Sequence, residues 1–123
     1  MKITTVRTVF LVSAVFNWLV GLGLAFAGAK LIGMFGVTPL PTEPLFLQLF
    51  AWLVFAFGIA YYWIYKDPPG NRALIRLGII AKLGVVIVCL ANIFLGHVSW
   101  QIMLVAGADL AFAILFWRAL KSV

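Results

Sequence analysis

Residues 57–83 read FGIAYYWIYKDPPGNRALIRLGIIAKL. Two apolar runs meet here at KDPPGN (Lys66–Asn71), where two prolines, a glycine and an asparagine follow in close order. Proline lacks the N–H that a continuing helix needs, and its ring clashes with the preceding turn, so no helix passes through this point. The run before it, about Leu45–Tyr65, carries no charged residue. A helix that crosses a bilayer needs about 20 such residues. The stretch therefore reads as two membrane-spanning helices joined by a tight turn.

Working outward, two more runs of that length appear, at about Thr8–Ala27 and about Ser99–Trp117, while the run after KDPPGN extends over about Ala73–Leu95. PLPTEP (Pro39–Pro44) separates the first run from the second, and GHVSW (Gly96–Trp100) separates the third from the fourth, with Ser99 placed to cap the last helix. The expected architecture is all-α: a single-domain integral membrane four-helix bundle, up-down-up-down. The start of the chain also resembles a secretory signal, with Lys2 and Arg7, an apolar stretch and Ala25-Phe26-Ala27. That stretch is long for a signal peptide and contains Asn17, so it reads as a retained span.

Composition agrees. Of 123 residues, 66% are hydrophobic and 10% charged, against about 45–50% and about 25% in soluble domains. A soluble fold of this size leaves about a third of its surface in water and could not hide so much apolar area. The net charge of +6 comes from residues at the ends of apolar runs, without a basic patch interleaved with aromatics, so no nucleic-acid partner is expected. Lys2, Arg7, Lys66, Arg72, Arg76, Arg118 and Lys121 fall on one side of the four spans, and only Lys30 on the other. By the positive-inside rule both termini and the KDPPGN loop are cytoplasmic, in a bacterial-type inner membrane. Trp63, Tyr65, Trp100 and Trp117 sit where interfacial aromatic belts form. The 28–44 segment, with Leu31, Ile32, Met34, Phe35, Val37 and Leu40, is too apolar for a solvated loop. It reads as a short helix lying on the membrane or, more sharply, as a lid over a pocket between the helices.

Three strongly polar residues fall near mid-span: Asn17 in the first run, Lys82 in the third and Asp109 in the fourth. An ionisable side chain at that depth costs about 2.5–3.5 kcal/mol to insert. Lys82 lies about 13 residues before the GHVSW turn and Asp109 about 10 after it, so at 1.5 Å per residue their depths differ by only about 4–5 Å. An ion pair between them is expected. The competing arrangement has Lys82 snorkelling to the cytoplasmic headgroups and Asp109 protonated or bonded to Asn17 or a tyrosine. Helical phase groups Ser13, Asn17, Gly21 and Ala25 on one face of the first helix. It groups Gly78, Lys82, Val85, Cys89, Asn92 and Gly96 on the third, and Ile102, Val105, Ala106, Asp109, Ala113 and Phe116 on the fourth. Small residues on these faces let helices approach closely. The candidate ligand or proton site is Asn17, Lys82 and Asp109, with Tyr61, Tyr62 and Asn92 within reach. Glu43, Gln48 and His97 form a candidate mouth on the opposite side from the termini.

Other chemistry is not written in this chain. Glu43, Cys89 and His97 lack metal-ligand spacing, so no metal or other cofactor is expected. No nucleophile-elbow, zinc-protease, phosphate-loop or dinucleotide motif occurs. Cys89 is the only cysteine, which rules out an intrachain disulfide.

FNWLVGLGL (Phe16–Leu24), the 57–83 stretch quoted above and GADLAFAILFW (Gly107–Trp117) together resemble small four-helix bacterial inner-membrane proteins of the DoxX-like kind. The resemblance implies an accessory role beside respiratory or thiol-redox complexes. One intramembrane cysteine and no CxxC argue against direct thiol chemistry. Small multidrug transporters, of similar size, carry a glutamate in the first helix where this chain has Asn17. The leading expectation is a non-enzymatic membrane protein whose polar site binds a small polar or amphipathic ligand, with proton coupling and, for transport, a homodimer. The alternatives are an accessory subunit of a larger membrane complex and a small membrane enzyme using Asp109 as acid/base on a lipid-like substrate.

Overall fold

A computed structural model describes residues 1–123. It contains four α-helices and no strand: α1 (Ile3–Gly33), α2 (Pro44–Lys66), α3 (Arg72–Phe94) and α4 (Ile102–Ser122), with a single 3₁₀ turn at Pro69–Asn71 before α3. By length and composition all four can cross a bilayer, the pattern of a multi-pass membrane protein. The shortest, α4, has 21 residues, about 31 Å of helix against about 30 Å of hydrocarbon.

KDPPGN stops α2 and starts α3 by identifiable bonds. The Asp67 carboxylate accepts from the Gly70 N–H at 3.2 Å, and the Asn71 side-chain amide donates to the carbonyls of Asp67 (2.8 Å) and Trp63 (3.2 Å). This is an Asx-type turn that replaces the helical bonds the prolines remove. A Cβ on Gly70 would overlap the Asp67 carboxylate, so glycine is required there. The Arg72 guanidinium at the start of α3 donates to the carbonyls of Leu120 (3.0 Å) and Val123 at the end of α4.

The chain packs as two hairpins. α1 lies mainly on α2, and α3 on α4, with thinner contact between the pairs. Glycines set the first pairing. A Cβ on Gly21 would sit 3.0 Å from the Ala51 carbonyl, and one on Gly58 would run into the Trp18 indole. Small residues thus let two apolar helices approach closely where the bilayer supplies no hydrophobic drive between them. The buried core joins the start of α1 (Val6, Phe10, Ala14), the end of α2 (Tyr61, Ile64), the start of α3 (Ile75) and the end of α4 (Phe116, Ala119). Phe10 stacks on Phe116 at 4.6 Å, and Tyr61 meets Phe116 at 5.0 Å. Outside this core many large apolar side chains are exposed, including Leu19, Phe26, Ile80 and Phe94, as lipid-facing positions are.

Several boundaries and faces differ from the sequence reading. The first helix is not confined to 8–27: it starts at Ile3 and runs to Gly33, with a kink at Ala27 (φ −146°, ψ 34°). Helical geometry is broken at Ala27, so residues 28–33 form a short helical piece set off from the span, as one reading of the 28–44 segment expects, and the rest of the segment is no free lid. Thr38 is clasped to the α3–α4 turn: the Ser99 N–H donates to the Thr38 carbonyl at 2.7 Å, and the Ser99 hydroxyl accepts from the Thr38 N–H at 2.9 Å. Ser99 is therefore not the cap of α4, which begins three residues later behind Gln101. On α3 the buried stripe is Ile75, Gly78, Lys82 and Val86. Val85, Cys89 and Asn92 are only partly buried and Gly96 is exposed, so the buried face of α3 ends at Val86.

Candidate polar site between the hairpins

One hydrogen-bonded chain crosses all four helices at mid-span. The Asn17 side-chain amide on α1 donates to the Val54 carbonyl of α2 at 3.0 Å. Its oxygen accepts from the Lys82 ammonium of α3 at 3.0 Å. Lys82 also donates to Oδ1 of Asp109 on α4 at 2.7 Å, closing an ion pair. An Asn side chain supplies two donors and an acceptor, so it can bridge a backbone carbonyl and an ammonium at once.

Local structure puts these groups in place. Ser13, Asn17 and Gly21 are buried at four-residue spacing on α1, so the asparagine faces inward beside the glycine that seats α2. Lys82 follows Gly78 by one turn on the buried stripe of α3. The Lys82 side chain is 6% exposed and that of Asp109 is 19% exposed. Lys82 points into the bundle and does not snorkel to a headgroup. Around the ammonium stand the rings of Phe112 (5.2 Å), Phe16 (5.4 Å) and Tyr61 (5.6 Å), close enough for attraction between a cation and ring faces.

The pair is asymmetric. The Lys82 ammonium is enclosed by two acceptors and three rings. Asp109 is held through one oxygen, while Oδ2 accepts no hydrogen bond from the protein and is not sealed in the interior. A carboxylate can accept about four hydrogen bonds, so most of the acceptor capacity of Asp109 is unused.

The other candidate residues divide. Tyr61 is fully buried beside Lys82. Tyr62 is directed elsewhere: its ring lies against Trp18 (5.9 Å) and Tyr65 (5.7 Å), with the Lys66 ammonium over it at 5.8 Å. Asn92 also stands apart from the triad. It donates to the Val88 carbonyl at 2.8 Å, and its oxygen meets Nδ1 of His97 at 3.0 Å, tying off the end of α3. Of the candidate mouth, Glu43 and Gln48 line one open cleft together with Lys30, whereas His97 belongs to the Asn92 contact. No group of three His, Cys, Asp or Glu side chains is close enough to hold a metal.

Phe16, Phe112 and the Val54 carbonyl were not foreseen. A signal existed for the rings: Phe112 is three residues after Asp109 and so shares its face, and Phe16 adjoins Asn17. The Val54 carbonyl has no side-chain signature at all. Comparison of the chain with protein-family models, with curated proteins and with solved structures found no significant match to any of them.

Proposed function

We propose that this chain is a multi-pass protein of a bacterial-type inner membrane in which Asp109 accepts a proton or a small polar or amphipathic ligand. The bundle is up-down-up-down, with both termini and the KDPPGN loop cytoplasmic. Seven lysines and arginines against one support that orientation. The observation that carries the reading is the half-used carboxylate: Lys82 holds Oδ1 at 2.7 Å, and Oδ2 has no donor from the protein. Burying charge within a bilayer is costly, and interhelical hydrogen bonds return only about 0.6 kcal/mol each on average. A pair kept for packing alone gains by satisfying both oxygens. One left open on a single side is suited to exchange a partner there, while Lys82 and Asn17 keep the counter-charge in place. Four helices enclose little space, so movement of a ligand across the membrane uses a dimer.

Native mass spectrometry of the chain extracted from its membranes tests this. A small-molecule adduct should be present on the native chain and lost in Asp109→Asn. It should survive in Tyr62→Phe, whose ring lies outside the triad.

A second reading is favoured by the continuity of the chain from Val54 through Asn17 and Lys82 to Asp109, which locks two thinly joined hairpins. On it the polar residues set helix register, and the protein is an accessory subunit of a larger membrane complex, as the DoxX-like resemblance implies. That reading expects co-purifying membrane subunits, no adduct, and a purely stability-lowering effect of Asp109→Asn.

A further inference from the structure

The end of the molecule remote from the shared core carries a second polar feature. α1 kinks at Ala27, and the next residue, Gly28, has no room for a Cβ because the Leu47 side chain of α2 fills the place. Beyond this contact the kinked end of α1 and the start of α2 separate. An open cleft of about 360 Å³ lies between them, within the roughly 300–1,000 Å³ of small-molecule sites.

Its charges are unusual for this chain. Lys30 and Glu43 are the only residues of fixed charge between positions 8 and 65, and both line this cleft. They do not pair with each other: the single ion pair of the molecule is Lys82–Asp109. Glu43 precedes α2 without capping it. A cation and an anion, both exposed, thus line one cleft without an ion pair between them, each with its hydrogen-bonding capacity free. The Gln48 amide stands beside them, and Leu24, Phe26 and Leu47 form the apolar part of the lining. Phe26 is 85% exposed. Lys30 lies 13 residues beyond Asn17, about 20 Å along the helix, which puts the cleft at the level of the headgroups.

We propose that this cleft binds an aminophospholipid: its phosphate on Lys30, its primary ammonium on Glu43 and Gln48, and an acyl chain along Leu24, Phe26 and Leu47. The separated charges match a zwitterion. An anionic headgroup would leave Glu43 unpaired and repelled. A quaternary ammonium has no N–H to give to Glu43 or Gln48, and the cleft lacks the cluster of Trp and Tyr faces that such a group needs.

The full chain in mixed micelles is titrated with dioleoyl phosphatidylethanolamine, phosphatidylcholine and phosphatidylglycerol, and separately with water-soluble glycerophosphoethanolamine, read by native mass spectrometry. Phosphatidylethanolamine should bind most tightly. Lys30→Gln should weaken both zwitterionic lipids about fivefold, and Glu43→Gln should remove the preference for ethanolamine over choline. Lys121→Gln, at the opposite end, should change nothing. Equal binding of the three lipids, or unchanged preferences in Lys30→Gln and Glu43→Gln with intact melting curves, overturns the proposal. So does glycerophosphoethanolamine binding as tightly as the lipid, because the acyl chain would then contribute nothing.

Discussion

Neutralising Asp109 isolates what the intramembrane ion pair contributes. In Asp109→Asn the Lys82 ammonium keeps its Asn17 contact at 3.0 Å and its three rings, but it loses the only opposite charge within reach. Lys82 is 6% exposed, so water cannot replace the carboxylate. Removing one member of a buried pair costs about 3–5 kcal/mol, whereas replacing both by apolar groups is often close to neutral. Because Asp109 is 19% exposed, the lower end applies, about 3 kcal/mol. For a chain of 123 residues that lowers the melting temperature by roughly 10 °C. Lys82→Met with Asp109→Asn should recover most of this and fall within about 1 kcal/mol of the native chain. Lys82→Met alone should cost less than Asp109→Asn alone, since the carboxylate it leaves unpaired is 19% exposed and the ammonium left by Asp109→Asn is 6% exposed. Thermal unfolding in one detergent, followed by circular dichroism for all four proteins, gives the cycle. Equal losses in Asp109→Asn and in the double variant would refute the pairing argument, because they would mean that Lys82 is stable without its counter-charge.

Other outcomes follow from single contacts. Gly58→Ala places a methyl against the Trp18 indole and 3.1 Å from the Ala14 carbonyl, and should cost about 1–3 kcal/mol in the same melts. Gly84→Ala, with open space around it, should be neutral or slightly stabilising. Ser99→Ala removes the acceptor for the Thr38 N–H; it should cost about 1 kcal/mol and raise hydrogen exchange in residues 34–40 while leaving exchange in the Phe10/Phe116 core unchanged. Arg72→Lys cannot span two carbonyls with one planar group, so exchange should rise at the end of α4, which Arg72 holds through Leu120 and Val123.

Much of this molecule is legible in its sequence, for reasons tied to particular residues. KDPPGN ends one helix and opens another because proline and the Asp67 and Asn71 side chains act locally. The helices are long and uniformly apolar, so their existence needs no knowledge of neighbours. The nearness of Lys82 and Asp109 was also readable, because the rise per residue gives depth and a short turn makes α3 and α4 adjacent. Helical phase placed Asn17 and Gly21 inward correctly but extended the inner face of α3 too far, to Gly96. Phase assumes a covering neighbour along the whole helix, and no residue of α3 beyond Val86 is buried.

By itself, then, the sequence determined four apolar helices, the turns between them and the depth of each intramembrane polar group, since these depend on backbone geometry and on transfer from water to hydrocarbon. Only the tertiary structure decided which groups meet. It set Asn17 between the Val54 carbonyl and Lys82, closed Phe16, Tyr61 and Phe112 around the ammonium, left Oδ2 of Asp109 without a donor from the protein, bent α1 at Ala27 and clasped Thr38 to Ser99. The contacts among these join residues on different helices or, for Thr38 and Ser99, on different loops. Their meeting is settled by how the helices rotate and pack, within each hairpin and between the two, which neither spacing nor hydropathy encodes.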